Sequence, residues 1–215
     1  MPKLLGAFGS PFVRKAYVAL TEKGISFEHE QVIPFGVSPE YRKISPLGKI
    51  PAYQDGDKTL ADSSVIIAYL EKIHPLPTLY PSDPYDYARA LWFEEFGDGG
   101  LAPVLGTKVF FPKVIAPRFF KQEPNLAEIQ KVVDTEIPPL FDYLEGEIGD
   151  KEYLVGNKFS IADIGVATIF VNYAYAGYGV DAKRWPKLAA YINRILSRPS
   201  FKGVIDKEKA ALGIQ

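Results

Sequence analysis

The first third of the chain changes its hydrophobic period several times, and each change predicts a different element. The apolar run "KLLGAF" predicts a short buried strand, and from Val13 apolar residues recur as on one face of a helix. Pro11 suits the first helical position, and Gly24 suits the residue just beyond the helix end. The run "SFEHEQVI" then predicts a second strand. Strand, helix and strand in this order predict a parallel βαβ unit.

Two more strands and a helix complete a small α/β layer. The apolar runs "KIPAYQ" and "KTLA" meet at the turn "DGDK", and Asp-Gly between apolar runs indicates a hairpin. The irregular stretch before them accommodates a short helix. From Ser63 the sequence "SSVIIAYLEKIH" has a helical period. The predicted order is therefore βαβαββα.

Beyond the proline-rich segment "HPLPTLYPSDP", the apolar positions follow helical periods only. Helices are predicted near 85–115, 124–147, 160–175 and 187–198, with a weaker one near 203–211. Pro138 and Pro139 should break or kink the second of these. Ser160 and Asp163 have the spacing of a capping box. We expect one domain at 1–76, a linker at 77–86, and an all-α domain at 87–215.

Composition excludes several classes of function. The 25 basic and 26 acidic side chains leave a net charge of −1, which argues against a nucleic-acid partner or an acidic membrane surface. Cysteine is absent, and His29 and His74 lack the spacing of metal ligands, so no metal site is expected. No apolar run reaches the roughly 20 residues of a membrane span, and the N-terminal apolar stretch is too short for a signal peptide. A cytoplasmic protein is the expectation.

Two motif-like segments fail on their context. "GDGGLA" at 97–102 matches the dinucleotide fingerprint, but it follows a helical stretch rather than a strand, so a bend in a long helix is favoured. Ser10 lacks the flanking glycines of a hydrolase nucleophile elbow. Neither segment supports a nucleotide or a hydrolase site.

Three segments, in this order and spacing, resemble the cytosolic glutathione S-transferase family. They are "SPFVRKAYVALTEKGISFE", "ISPLGKIPAYQDGDKTLADSSVIIAYLE" and "GNKFSIADI" with the later "RPSF". The resemblance implies a thioredoxin-like N-terminal domain, an all-α C-terminal domain and a homodimer. It also implies a detoxifying transferase with glutathione as co-substrate and a small apolar electrophile as second substrate.

Ser10 aligns with the residue that activates the thiol in this family. It is either the N-cap of the following helix or a hydrogen-bond donor to the glutathione sulfur, and both roles are compatible. A charge-assisted hydrogen bond contributes about 1.5–3 kcal/mol and a helix end about 0.3–1 kcal/mol, enough to lower a thiol pKa by about two units. Because the chain has no cysteine, thiolate activation is expected rather than mixed-disulfide chemistry.

The resemblance also implies a set of glutathione-binding residues. Ile50-Pro51 resembles the family's cis-proline turn, whose backbone pairs with a peptide ligand as a strand would; a trans proline at a strand start is the alternative. Ser63 opens a helix and suits the γ-glutamyl carboxylate, while Asp62 would pair with the α-ammonium; either can instead simply cap the helix. The family more often has Glu or Gln at position 62. The full set is Phe12, Lys49, Ile50, Pro51, Asp62 and Ser63, with Lys49 either facing the glycyl carboxylate or remaining a surface lysine.

The second substrate would lie against aromatic side chains, although aromatic residues at helical spacing are often core residues. The candidates are Phe12, Phe110, Phe111 and Tyr173, whereas Trp92, Phe93 and Phe96 fit a core or a dimer interface. Arg14 and Lys15 are either a solvated helix face or a bias of the site towards anions.

Two further functions fit the same resemblance. One is a non-catalytic interaction module with this fold, and the other is a carrier of hydrophobic compounds. Conjugation, peroxide reduction and isomerisation share the same first step, the formation of the thiolate.

Overall fold

The computed structural model describes residues 1–214, which form two compact units. Met1–Tyr80 and the segment from Pro199 onward make up the first unit, and Pro81–Arg198 makes up the second. The change from one unit to the other after Tyr80 falls inside the linker expected at 77–86. The sequence placed all of 87–215 in the helical domain, but the segment from Pro199 packs with the N-terminal elements.

The first unit follows the order predicted for it. Its elements before the second unit are β1 (Lys3–Leu5), α1 (Pro11–Glu22), β2 (Glu28–Glu30), α2 (Pro39–Ile44), β3 (Ala52–Asp55), β4 (Lys58–Ala61) and α3 (Ser63–Ile73). The strands form one sheet in the order β2-β1-β3-β4, in which β1 and β2 are parallel and the other pairs antiparallel. The parallel βαβ unit, the hairpin and the thioredoxin-like βαβαββα order are confirmed.

The second unit is helical. Its elements are α4 (Pro84–Glu95), a π-helix (Phe96–Ile115), α5 (Ala116–Phe120), α6 (Leu126–Thr135), α7 (Ile137–Ile148), α8 (Ile161–Tyr175) and α9 (Pro186–Leu196), and α10 (Pro199–Leu212) then returns to the first unit. The helix predicted at 124–147 is divided at Glu136, so that Pro138 and Pro139 lie in the first turn of α7, where prolines are tolerated. "GDGGLA" lies inside the π-helix, in a helical context.

Helix α1 is buried on all sides rather than on one face. Every residue from Val13 to Leu20 is buried, because α3 and α10 both pack against this helix. Arg14 and Lys15 are each 0% exposed, so the interpretation of these two as a solvated helix face is wrong. Across the sheet, Tyr41 of α2 packs in one cluster with Leu5 and Ala52.

Helix α8 forms the centre of the second unit and is buried from Ile161 to Tyr173. The predicted capping box at its start is confirmed, since Asp163 accepts the Ser160 N–H at 2.9 Å and Ser160 Oγ accepts the Ala162 N–H at 3.3 Å. Because Gly97 has no Cβ, the π-helix approaches the backbone of Gly165 in α8 closely. Within residues 1–214, no helix is both long enough and apolar enough to cross a membrane.

Candidate functional site

Ser10 lies between the end of β1 and the first turn of α1, where it is half-buried. Its Oγ accepts the N–H of Val13 at 3.4 Å, so the residue is the N-cap that the sequence predicts. No hydrogen bond from the Ser10 hydroxyl to an acceptor occurs in the described part of the chain. A hydroxyl accepts and donates at once, so Ser10 can cap α1 and still offer its proton to a ligand. The two roles considered for this residue therefore need no exchange of partners.

Two side chains hold the turn before Ser10: His29 of β2 and Gln31, which directly follows β2. His29 Nε2 lies 2.9 Å from the carbonyl oxygen of Gly6, which makes Nε2 the protonated nitrogen. Gln31 donates to His29 Nδ1 at 3.4 Å and accepts the N–H of Phe8 through Oε1 at 3.1 Å. Burial, opposed in part by the bond to Gly6, lowers the pKa of His29 below its usual 6.5. The neutral imidazole is the form that satisfies both hydrogen bonds.

Glu208 of α10 approaches the same turn from another side. Its Oε1 accepts the N–H of Gly9 at 3.3 Å, and its Oε2 lies 2.8 Å from Nε and 2.7 Å from Nη2 of Arg14. Glu208 is 1% exposed and Arg14 is 0% exposed. Sequence reasoning missed Glu208, because no local motif marks a residue 194 positions from its partner.

The Ile50-Pro51 peptide bond is cis. The preceding carbonyl, that of Lys49, accepts hydrogen bonds from Ser45 Oγ at 2.7 Å and from Tyr41 Oη at 3.0 Å. Burial raises the pKa of Tyr41 to about 12, so its hydroxyl stays protonated as a donor. The Lys49 side chain is exposed. No hydrogen bond to the backbone of Ile50 is found among residues 1–214.

Asp62 and Ser63 open α3, and they differ sharply in burial. Asp62 is exposed, has a left-handed φ of 80°, and accepts through Oδ1 the N–H groups of Ser64 at 2.9 Å and Val65 at 3.3 Å. Ser63 is 1% exposed, and its Oγ has no hydrogen-bond partner in the described residues. Asp62 is thus the N-cap, while Ser63 places an unpaired buried hydroxyl beside a helix N-terminus, where an anion is stabilised.

The buried ammonium group of Lys15 contacts the first turn of α3. Lys15 reaches from α1 to donate to Ser64 Oγ at 2.9 Å. Sequence reasoning raised a bias towards anions for Lys15 but did not connect it with α3. The full burial of the Lys15 ammonium group could not be derived from the local sequence pattern.

The aromatic candidates for the second substrate lie in separate ring contacts. Phe12 is half-buried in the first turn of α1. Within the helical unit, Phe110 contacts Tyr175 and Phe111 contacts Phe120.

Tyr173 contacts other rings, those of Phe141 and Tyr178. It is 4% exposed and borders a cavity of about 140 Å³ that Tyr178 and Asn193 also line. Among the described residues, Tyr173 therefore makes no ring contact with Phe110 or Phe111. Within the described range, no group of three or more His, Asp or Glu side chains could hold a metal ion.

Known proteins match this chain along most of its length. The N-terminal domain family of glutathione S-transferases matches residues 4–78, and the C-terminal domain family matches residues 101–199. Glutathione S-transferase U19 of Arabidopsis thaliana is 31% identical over 214 residues, which cover 96% of this chain and 90% of the relative. The chain belongs to the glutathione S-transferase family. An uncharacterised glutathione S-transferase-like protein of Escherichia coli, YibF, is 30% identical over 93% of this chain and 96% of its own.

Solved structures of glutathione S-transferases share the fold. The enzyme from Rhodospirillum rubrum F11 superimposes with a TM-score of 0.88 at 23% identity, over 95% of this chain and 91% of its own. The glutathione transferase URE2P8 of Phanerochaete chrysosporium, solved with oxidized glutathione, has a TM-score of 0.82 at 23% identity, over 100% and 97% of the two chains. The thioredoxin-like first unit and the helical second unit are those of glutathione S-transferases.

Proposed function

We propose that this chain is a cytoplasmic glutathione transferase that holds the sulfur of glutathione as a thiolate against Ser10 and adds it to a small apolar electrophile. The observation that carries the proposal is the Ser10 hydroxyl, which caps α1 with its oxygen and keeps its proton available. It lies at the N-terminus of a helix of 12 residues, whose dipole favours a negative charge nearby.

Ser10 acts as a hydrogen-bond donor and not as a base. A serine hydroxyl is too weakly basic to remove the thiol proton, which passes to water. The hydrogen bond to the sulfur and the helix dipole stabilise the anion that remains. The sulfur lone pair then forms a bond to carbon of the electrophile, and either a leaving group departs or the adduct takes a proton from water. Only the thiolate form has the nucleophilicity for this step.

The start of α3 supports the binding of the γ-glutamyl end. An unpaired buried hydroxyl costs stability unless a ligand supplies its partner, and Ser63 Oγ is such a group. The carboxylate of glutathione would take this hydroxyl and the helix N-terminus, while the exposed Asp62 would pair with the α-ammonium. Because Oδ1 of Asp62 already accepts two backbone N–H groups, its other oxygen is the one available to the ammonium.

The peptide backbone of glutathione would pair with Ile50. The backbone N–H and carbonyl of Ile50 have no hydrogen-bond partner among the described residues, and cis-Pro51 follows Ile50 directly. An exposed Lys49 would meet the glycyl carboxylate, and Phe12 would line the site beside Ser10. The electrophile would lie against Phe12, two residues after Ser10.

A homodimer forms part of the proposal. Val65 and Ile73 of α3 are 49% and 41% exposed, so this helix presents apolar side chains that a second copy of the chain would cover. Light scattering coupled to gel filtration tests this point, with a mass of twice the 23.9 kDa chain expected.

Ultraviolet difference absorbance of the thiolate, recorded when glutathione is added at neutral pH, tests the proposal. The wild-type protein should give a thiolate band that titrates well below the ordinary thiol pKa of about 8.5. The Ser10→Ala variant should bind glutathione while the band weakens, and its transfer rate to a model electrophile should fall. A missing band together with no heat of glutathione binding would favour the non-catalytic interaction module.

A further inference from the structure

We infer that Glu208 is a positioning residue for Ser10, which it places through the backbone of Gly9 and the side chain of Arg14. This inference rests on the proposed function, because it concerns how well Ser10 stabilises the thiolate. It assigns part of the sulfur site to α10, a helix that follows the entire helical unit in sequence.

One carboxylate ties together both sides of Ser10. Oε1 accepts the N–H of Gly9, the residue before the serine. Oε2 accepts the Nε–H of Arg14, one helical turn after Ser10, and lies 2.7 Å from Nη2 of the same side chain. The backbone N–H of Arg14 in turn donates to the Ser10 carbonyl at 3.0 Å. With Glu208 in place, the backbone before Ser10 and the helix after it are fixed to the same rigid group.

The packing around Gly9 leaves the turn little freedom. Gly9 has a left-handed φ of 87°, and a Cβ placed on it would lie 3.0 Å from Leu212 Cδ1 of α10. Glu208 and Leu212 belong to the same face of α10, four residues apart, so one helix supplies a hydrogen bond and an apolar contact to the same residue.

The charge of Glu208 is compensated where it would otherwise oppose the thiolate. A bare carboxylate near the sulfur would raise the thiol pKa, but the Arg14 guanidinium contacts it through two nitrogens. Two other titratable groups act on the same region: Lys207, whose Nζ donates to Tyr17 Oη at 2.6 Å, and His29, whose pKa burial lowers. The Arg14–Glu208 ion pair therefore holds the turn before Ser10 while adding little net charge near the proposed sulfur position.

The test measures the pKa of bound glutathione in Glu208→Gln, beside wild type and Ser10→Ala. The glutamine keeps an acceptor for Gly9 but offers no charge to Arg14. The freed charge of Arg14 alone would favour the anion, but we expect the misplacement of Ser10 to outweigh it. The pKa of the bound thiol should rise by about one unit and kcat at neutral pH should fall roughly threefold, while KM for glutathione changes less than about twofold.

A matched control separates positioning from stability. Glu71 forms a second mostly buried ion pair in the same unit, with Lys23 at 2.6 Å, and does not contact the Ser10 turn. Glu71→Gln and Glu208→Gln should both lower Tm, but only Glu208→Gln should move the thiol pKa. In the double variant Ser10→Ala/Glu208→Gln, kcat should equal that of Ser10→Ala alone within about twofold, because a positioning residue has no effect once its target is removed.

Two results would overturn the inference: a bound thiol pKa that Glu208→Gln leaves unchanged, or losses that multiply in the double variant. If Glu208→Gln does not fold, Arg14→Lys replaces it, since lysine keeps the charge and loses the two-nitrogen contact. If the glutathione thiol bound to Arg14→Lys then has the same pKa as in the wild-type protein, the inference about Glu208 is overturned. A wild-type protein with no thiolate band overturns the proposed function itself, whereas a normal band in both wild type and Glu208→Gln overturns only the role of Glu208.

Discussion

The ammonium nitrogen of Lys15 lies 2.9 Å from the hydroxyl oxygen of Ser64, and the lysine side chain has no exposed surface. A buried ammonium group is costly, and it is retained where it has hydrogen-bond partners and charge to interact with. Ser64 lies in the first turn of α3, one residue after the unpaired hydroxyl of Ser63. The positive charge of Lys15 therefore adds to that of the helix N-terminus at the proposed carboxylate site.

Replacing Lys15 by Met should weaken glutathione binding about tenfold, because the volume is kept while the buried charge is removed. Isothermal titration calorimetry measures the Kd. Lys3→Met is the control, since the Lys3 side chain is 43% exposed and lies on β1. Equal affinities of the two variants would mean that Lys15 supports only the packing of α1 against α3.

Ser63→Ala should separate stability from binding. The hydroxyl it removes is buried without a partner in the described residues, so the free energy of unfolding should stay the same or rise by up to about 1 kcal/mol. The Kd for glutathione should nevertheless increase, by about tenfold. Urea unfolding and calorimetry measure the two effects.

Ser160→Ala is the matched control for that experiment. Ser160 is also a buried serine at a helix start, but its Oγ accepts the Ala162 N–H as the cap of α8. Its loss should lower the free energy of unfolding by about 1 kcal/mol. A similar loss of stability in Ser63→Ala would show that the Ser63 hydroxyl already has a partner.

His29 should make the protein less stable in mild acid. Its pKa in the folded protein lies below the unfolded value of 6.5, chiefly because of burial. As the pH falls below 6.5, the unfolded chain takes up a proton before the folded one does, so the free energy of unfolding decreases. Urea unfolding between about pH 5 and pH 8 should show this slope.

His29→Gln should flatten that slope, although other titrating groups keep their own contributions. The variant also loses the bond from Nε2 to the Gly6 carbonyl, so its stability at pH 8 should be lower. An unchanged slope between pH 5 and pH 6.5 would show that His29 titrates alike in the folded and unfolded chain.

Gly97→Ala should destabilise the helical unit by roughly 2 kcal/mol or more, because overpacking a close backbone contact forces the helices apart. A Cβ on Gly97 would lie 2.5 Å from the carbonyl oxygen of Gly165. Gly99→Ala is the control in the same π-helix, since nothing lies within 4 Å of its added Cβ. Thermal unfolding should show a lower Tm for Gly97→Ala alone; equal values would mean that α8 can move away without cost.

Local chemistry explains what the sequence could predict. The cap at Ser10, the turn after Asp55 and the capping box at Ser160 each depend on residues within a few positions of one another, and all three are found. The full burial of α1 could not be read in the same way. Its polar residues Arg14 and Lys15 look like a solvent-facing stripe, and only partners far along the chain make their burial favourable.

The candidate site likewise combines residues that a local motif marks with properties that depend on distant contacts. The order of the family's motifs singles out Ile50-Pro51 and Asp62-Ser63 as candidates, but the motifs do not indicate which hydroxyl group lacks a hydrogen-bond partner in the fold. That property of Ser63 depends on how α3 packs, and the role of Glu208 depends on a helix at the other end of the chain. Contacts of this range carry no local signal.

The pairing of Arg14 with Glu208 also sets an order of events during synthesis on the ribosome. The two residues are 194 positions apart. At about 5–20 residues per second, the arginine is made roughly 10–40 seconds before its carboxylate. The whole helical unit emerges in that interval. The first unit begins the chain but also needs the segment from Pro199 onward, so it is completed last.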